Sequence, residues 1–420
     1  MTVPAALATG DPICFRRDTT QPAACSAARD VAGTARAGTA AGIYPPVYYA
    51  LVGMPVRLAG QRASTEAYRV AAVTLVCAVL VLVGLRARRL GAASLLVAAG
   101  VPPAAWFLFG VVNPTSVEIA LSLLAWVGIA LLDRDRTWRG VAWVSIPSAA
   151  AVVIRPVALL PAVATAVAAT VLVERWTWRR RVVLWGPLAM SALVISAWNA
   201  WVSLEFDDPR TATPASLGSA LWTAVKDVPT TLGEAVGDLS WQEISSPWPA
   251  QLLWAGSAVW MLVLVWRNGS SRLRLACGAW LAALLLGPVA FEILAHERVG
   301  FIWQGRYSVS TLVGLGALAA RAVVTSPTGE WTVPVPGGPD ASTRTASRLV
   351  WVVVAAAVAE AASFWTLLRR YTVGTDGSWW LSGAAWEPAV DARLLLGVHV
   401  AVLAGSAVTL VRVLGRYGTK

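Results

Sequence analysis

Eleven apolar runs, separated by short polar loops, decide what this chain can fold into. They cover residues 68–85, 91–109, 114–132, 141–154, 157–173, 182–204, 250–266, 275–295, 308–324, 349–368 and 394–414. A helix that crosses a bilayer needs about 20 mainly apolar residues. Most of the runs meet that length, while 141–154 is short enough to form a broken hairpin with its successor. The chain is 57% hydrophobic and 14% charged, against about 25% charged in soluble domains. Such a chain cannot cover a water-facing surface. The expected fold is all-α, a polytopic transmembrane bundle of about 11 spans with extracytoplasmic loops.

The formal net charge of +11 does not point to nucleic acid. The cations fall in alternate loops: Arg86 to Arg89, Arg134 to Arg139, Arg175 to Arg181, Arg267 to Arg274, Arg344 to Arg348 and the C-terminus. The positive-inside rule places those loops and the C-terminus in the cytoplasm, so the expected location is the plasma membrane, with lipids as partners and no nucleic acid. The other loops then lie outside. The organisation follows: 1–67 as an extracytoplasmic N-terminal segment, 68–204 as a first helix group, 205–249 as an outer loop, 250–324 as a second group, 325–348 as a cytoplasmic loop, and 349–420 as a C-terminal helix pair with its own outer loop. Residues 44–56 (YPPVYYALVGMPV) are apolar but too short to span, and Pro45, Pro46 and Pro55 oppose a regular helix. They read as a re-entrant or interfacial stretch. Tryptophans near run ends, such as Trp106, Trp138, Trp178 and Trp248, suit interfacial anchors.

The stretch Pro102 to Ala120 joins two runs with almost no loop. Asn113-Pro114 starts the second helix, because proline suits a first helical turn. Glu118 follows one turn later. A carboxylate there is costly in lipid and must face protein or water. The charge rule collects Tyr44, Tyr48, Asn113, Glu118, Arg155, Gln304, Arg306 and Tyr307 at the outer helix ends, with His296 and Glu297 nearby. Arg155 and Arg306 sit outside against the charge rule, and guanidinium groups bind phosphate bidentately. Each residue also has a plainer reading. Glu118 can pair with Arg155, Arg155 can snorkel to headgroups, Asn113 can be a helix cap, and the tyrosines can be an interfacial belt. Glu292 and Glu360, inside other runs, are either buried partners or pathway residues. Cys14 and Cys25 lie in the outer N-terminal segment, where a disulfide and two free thiols are both open. Cys77 and Cys277 read as packing residues. No metal motif is present. The acids of 205–249 are too spread to form a metal site alone, and that loop is expected to be a partly helical cap with Trp222 and Trp241 packing down.

The segments YPPVYYALVG, PPAAWFLFGVVNPTSVEIA, IRP and WQGRY, in this order, resemble an uncharacterised family of bacterial multi-pass membrane proteins, domain of unknown function 2142. That family in turn resembles the glycosyltransferase C superfamily. The second resemblance implies a glycosyltransferase C-like fold and sugar transfer from a polyprenyl-phosphate-linked donor on the outer face, in envelope glycan assembly. It also implies an acidic residue just after the first helix as base or metal ligand, which leaves a divalent metal open as a cofactor. Here the first acids are Asp11, Asp18 and Asp30, in no matching context, so the catalytic residue is unknown.

The expected activity is therefore polyprenyl-phosphate-dependent glycosyl transfer. Arg155 and Arg306 would hold phosphate, and Asn113 and Glu118 would orient a substrate or ion. The alternatives are a transporter or lipid-intermediate flippase using Glu118, Glu292 and Glu360, and a non-catalytic partner in an envelope-assembly complex. The N-terminal segment carries Arg16, Arg17, Arg29, Arg36 and Arg57, which oppose its translocation. A further spanning helix upstream of Met1 is the expected resolution.

Overall fold

A computed structural model describes residues 2–5, 14, 18–26, 33–36, 38, 40–60, 64–132, 137–205, 216–240, 242–324 and 339–417. Among these residues the fold is helical apart from two small antiparallel hairpins, β1 (Thr2–Pro4) with β2 (Thr34–Arg36), and β3 (Asp238–Leu239) with β4 (Ile244–Ser245). The helices are α1 (Val47–Leu58), α2 (Thr65–Ala87), α3 (Ser94–Ala99), α4 (Pro103–Phe109), α5 (Pro114–Ala130), α6 (Trp138–Ile154), α7 (Leu159–Leu172) and α8 (Trp178–Glu205). They continue with α9 (Leu217–Gly237), α10 (Trp248–Asn268), α11 (Ser271–Val299), α12 (Gly305–Leu312), α13 (Gly314–Val324), α14 (Pro339–Thr372) and α15 (Ala392–Tyr417).

Among the described residues, six stretches are long and apolar enough to cross a membrane: Thr65–Ala99, Trp178–Val202, Trp248–Asn268, Ser271–Glu297, Gly305–Val324 and Val350–Thr372. Five further apolar helices are shorter, 10–17 residues. The run expected at 91–109 is not one helix. Gly91 turns the chain at φ 60°, and the extended Pro102 breaks it again, leaving α3 and α4 as short pieces. A positive φ costs glycine nothing, since it has no Cβ. The stretch expected to be irregular at 44–56 is instead the helix α1, with Tyr48, Val52 and Val56 buried on one face. Pro45 and Pro46 lie ahead of its first turn, where proline does no damage.

Burial sorts the helices into centre and periphery. Of the apolar window in Gly305–Val324, 89% is buried, against 22–39% in the other five stretches. Helix α5 is buried at fifteen of its seventeen positions, and a helix apolar all round belongs inside. Outer helices carry exposed Val81, Met190, Leu193, Val259, Leu286 and Leu294, the faces that lipid would cover. At about 1.5 Å per residue, seventeen-residue α5 is roughly 26 Å long. Enclosed by protein, it does not have to match the ~30 Å hydrocarbon core by itself.

Basic residues from four of the loops meet at one end of the bundle. Arg86 lies over the Trp143 ring at 4.5 Å, Arg139 and Arg179 flank Trp138 at 5.7 and 4.7 Å, and Arg272 pairs with Glu174 at 3.0 Å. Such arginine–indole contacts hold the side chains at the ends of α2, α6 and α8 together. The N-terminus of α5 and the C-terminus of α6 lie at the opposite ends of their helices, and there the polar residues gather.

Candidate functional site

Helix α5 begins with a capping arrangement. Asn113 Oδ1 accepts from Thr115 N at 2.9 Å, Ser116 Oγ donates to the Asn113 carbonyl at 2.6 Å, and Pro114 occupies the first helical position. The first of these contacts satisfies a backbone N–H that a helix start leaves open. One turn on, Glu118 is fully buried. It accepts from Ser310 Oγ at 2.7 Å and faces Arg155 Nη1 at 3.6 Å. Arg155, just beyond the last turn of α6, also donates to Thr115 Oγ1 and lies 4.4 Å over the Tyr307 ring. Glu118 and Arg155 are therefore partners inside the protein. Arg155 is 6% exposed, and its guanidinium is taken up by Glu118, Thr115 and Tyr307.

Beside this network is a cavity of about 380 Å³, within the range of small-molecule sites, roughly 300–1,000 Å³. One wall is the organising stretch itself, with Ala104, Phe107, Leu108, Val111, Val112 and Asn113. The other wall is polar: Glu234, Asp238, Ser240, Gln242, Gln304 and Arg306. Arg306 Nε and Gln304 Oε1 are buried with no hydrogen-bond partner among the described residues. A buried group left unpaired costs about 1–3 kcal/mol, which makes both available to a ligand. Arg306 also stacks on Tyr307 at 5.4 Å.

Glu234 and Asp238 come from the C-terminal end of α9. The buried positions Ala220, Ala224, Thr231 and Ala235 form its inner stripe. Glu234 Oε2 accepts from Gly305 N at 2.8 Å and so holds the Gln304–Tyr307 segment in place. Gly305 is required for this approach, because a Cβ there would lie 2.3 Å from Glu234 Cβ and 2.4 Å from Ala235 N. Burial, and then the neighbouring Glu234 carboxylate, push Asp238 from an ordinary 3.8 up to about 6.

The β3–β4 hairpin that carries Asp238 turns through Ser240 and Gln242, both at positive φ, 61° and 64°. Non-glycine residues reach that region at a cost, and surrounding structure must hold them there. Helix α14 supplies the hold. Tyr371 Oη hydrogen-bonds Ser240 Oγ at 3.0 Å, and Arg370 Nη2 lies 3.6 Å from Glu243 Oε2. Arg370 is 1% exposed and also donates to the Gln21 and Asp18 carbonyls, the latter at 3.0 Å. The same N-terminal segment contains a Cys14–Cys25 disulfide, Cα atoms 6.1 Å apart.

The structure thus brings Asn113, Gln304 and Arg306 to one cavity and places Glu118, Arg155 and Tyr307 in a network behind it. Tyr48 is buried on α1, with its ring edge-on to Tyr49 at 5.4 Å, and Tyr44 is half-buried ahead of that helix. Neither tyrosine lines the cavity. Trp222 does not pack down: it is 70% exposed, because it faces away from the inner stripe of α9. Trp241 lies outside the described residues. Sequence reasoning missed Glu234, Asp238 and their supports. Local sequence carried no signal for them: Glu234 lies in the last turn of α9, whereas Asp238 follows that helix in extended conformation and begins β3. Among the described residues no group of three or more His, Cys, Asp or Glu side chains is arranged to hold a metal ion.

Residues 2–315 match a family described as "Predicted membrane protein (DUF2142)". The chain belongs to this family. The match takes in α1 to α12, hence the cavity walls contributed by α4, α9 and the segment 304–306, and stops ahead of α14 and α15. With its apolar helices, this DUF2142 member is an integral membrane protein. No curated protein matches it. No solved structure matches it either.

Proposed function

We propose that this family member is a transferase of glycosyltransferase C-like architecture, with about eleven crossings of the plasma membrane and the C-terminus in the cytoplasm. It takes a sugar from a polyprenyl-phosphate-linked donor and passes it to an extracytoplasmic acceptor in envelope glycan assembly. The observation that carries this reading is the cavity in which Arg306, whose Nε has no hydrogen-bond partner among the described residues, shares one wall with Asp238, a carboxyl group pushed up to about 6. Arg306 suits a phosphate, to which its N–H donors bond with charge assistance. A carboxyl group near neutral suits a general base.

In the reaction, the Asp238 carboxylate takes the proton of the acceptor hydroxyl. The acceptor oxygen bonds to the sugar's anomeric carbon as the bond from that carbon to the donor phosphate oxygen breaks. The phosphate leaves on the polyprenyl chain, its negative charge balanced by Arg306. Asn113, Gln304 and Ser240 contribute polar groups for the sugar, and the apolar wall from Ala104 to Val112 receives the first prenyl units. Arg155 orders Tyr307 and Glu118 instead of touching phosphate. A transport pathway finds less support: Glu118 is closed off by Arg155 and Ser310, Glu292 anchors a loop, and Glu360 lies 3.8 Å from His399.

The test is transfer from a short polyprenyl-phosphate-linked sugar in proteoliposomes. Asp238→Asn is expected to lower kcat by about 10²–10⁴, the usual contribution of a general base. Arg306→Ala is expected to raise KM for the donor by roughly tenfold or more, the value of a charged hydrogen bond of about 1.5–3 kcal/mol. Wild-type-like transfer by both variants, or proton-coupled uptake without transfer, would overturn the reading.

A further inference from the structure

A second, smaller cavity lies against the same loop, between α9 and α11. It is about 100 Å³ and is lined by Ala224, Asp227, Thr231, Pro288, Glu292, Phe301 and Trp303. Glu292 is 6% exposed. Its Oε1 accepts from the backbone N–H groups of Ile302, at 3.0 Å, and Trp303. Its Oε2 is buried with no hydrogen-bond partner among the described residues. The carboxylate is thus fixed by one oxygen and presents the other, an acceptor, to the cavity. His296, one turn later on α11, shows the same imbalance: Nδ1 is used by the Ile293 carbonyl at 2.9 Å, and Nε2 has no partner among the described residues. The His296 ring stacks behind Phe301 at 6.2 Å.

The chemistry of this lining is one-sided. It offers two carboxylates, Glu292 and Asp227, a hydroxyl, Thr231, and two aromatic rings, Phe301 and Trp303, with no cationic side chain among the lining residues. An ionised carboxylate can only accept hydrogen bonds. Burying one is costly unless a cation or N–H donors offset it; the neighbouring basic group, His296, lies outside the lining, so the cavity itself suits a cation that donates N–H bonds. Aromatic faces add attraction for such a cation. The volume equals roughly three waters at about 30 Å³ each. That admits an amine on a short carbon stem and is far below the ~300 Å³ of sites for larger ligands. Asp227 is exposed, so the cavity is open at that side.

We propose that this cavity binds an alkylammonium group, with Glu292 Oε2 and Asp227 accepting from the ammonium and Phe301 and Trp303 walling its stem. Its source is either the ethanolamine headgroup of a bilayer lipid or the amine of a soluble substrate. The subsite is independent of the transfer reaction, and a chain that transfers no sugar still has it.

The experiment is calorimetric titration of the full chain with ethanolamine in phosphatidylcholine nanodiscs, whose quaternary headgroup has no N–H to donate. Saturable binding is expected. Glu292→Gln should weaken it at least about tenfold and Asp227→Asn by a smaller factor, since one lost charged hydrogen bond is worth about that much. Tetramethylammonium should bind at least about tenfold more weakly than ethanolamine. Glu292→Gln keeps an amide oxygen for Ile302 and Trp303. If it nevertheless misfolds, the exposed Asp227→Asn carries the test. In nanodiscs containing phosphatidylethanolamine, loss of the titration identifies the lipid as occupant, and an unchanged titration identifies a soluble amine. Absence of saturable binding, equal binding by the variants, or equal competition by sodium or magnesium ions overturns the proposal.

Discussion

Arg155→Ala is the sharpest perturbation of the polar network, because it strands a carboxylate that water cannot reach. Among the described residues, fully buried Glu118 would keep Ser310 as its hydrogen-bond donor and Arg306 as a more distant cation, while Thr115 and the Tyr307 ring would lose their contacts with the guanidinium. Breaking a buried pair from one side costs about 3–5 kcal/mol. Removing the carboxylate as well, in Arg155→Ala/Glu118→Ala, relieves the uncompensated charge. The double variant should therefore be less destabilised than the sum of the singles. For residues in contact the shortfall falls in the range of about 0.5–3 kcal/mol, and for this pair the upper part of that range is expected. The assay is reversible unfolding of detergent-solubilised protein, or thermal inactivation midpoints where refolding fails. The double variant should melt at or above Arg155→Ala. Additivity to within about 0.5 kcal/mol, as for distant sites, would refute the pairing.

Three further outcomes follow from the cavity. Asp238 holds its proton more tightly folded, near 6, than at its ordinary 3.8, so its contribution to stability is highest below about pH 4 and is lost as pH rises through 6. Asp238→Asn should flatten that part of the pH–stability curve and gain on the order of 1 kcal/mol near pH 7, after discounting for partial solvation, and an unchanged curve would count against a raised Asp238. Gly305→Ala forces a Cβ into Glu234 and Ala235 and should cost about 1–3 kcal/mol, as overpacking does, along with transfer activity; a variant of normal stability and activity would show that the loop approaches α9 less closely. Tyr371→Phe removes the hydroxyl that holds Ser240 and should raise amide exchange across 238–246 while leaving α5 protected, so equal exchange in both proteins would mean that the hairpin holds its own turn.

How far the molecule could be read from residues alone varied with the range of the interaction. The apolar runs announce helices because burial and hydropathy act locally, and the Asn113-Pro114 cap is local too. Glu118 with Arg155 was legible as one of two readings, since a buried carboxylate must find a cation. The Glu234–Asp238 wall was not legible. Spread over 205–249, the acids suggest no site until one knows that the last turn of α9 and the start of β3 bring two of them to one cavity and that Gly305 packs against α9. The hairpin latch was harder still, because Ser240 and Tyr371 lie 131 positions apart. Trp222 misled because an indole in a loop suggests burial, and here the inner stripe of α9 is built from alanines and a threonine.

That latch has a consequence for how the protein comes into being. The hairpin at the cavity is held by α14, and α14 is held in turn by residues near the start of the chain, with Asp18 and Arg370 separated by 352 positions. During synthesis, at roughly 5–20 residues per second, helices α1 to α13 emerge while Ser240 and Gln242 still lack the partners that stabilise their turn. The N-terminal segment must also wait, cross-linked but undocked, until Arg370 is made. The cavity is therefore finished late, by a clasp joining the earliest and some of the last residues. A ribosome-stalled or C-terminally clipped chain would insert its apolar helices normally and still expose the 238–246 turn to surveillance proteases.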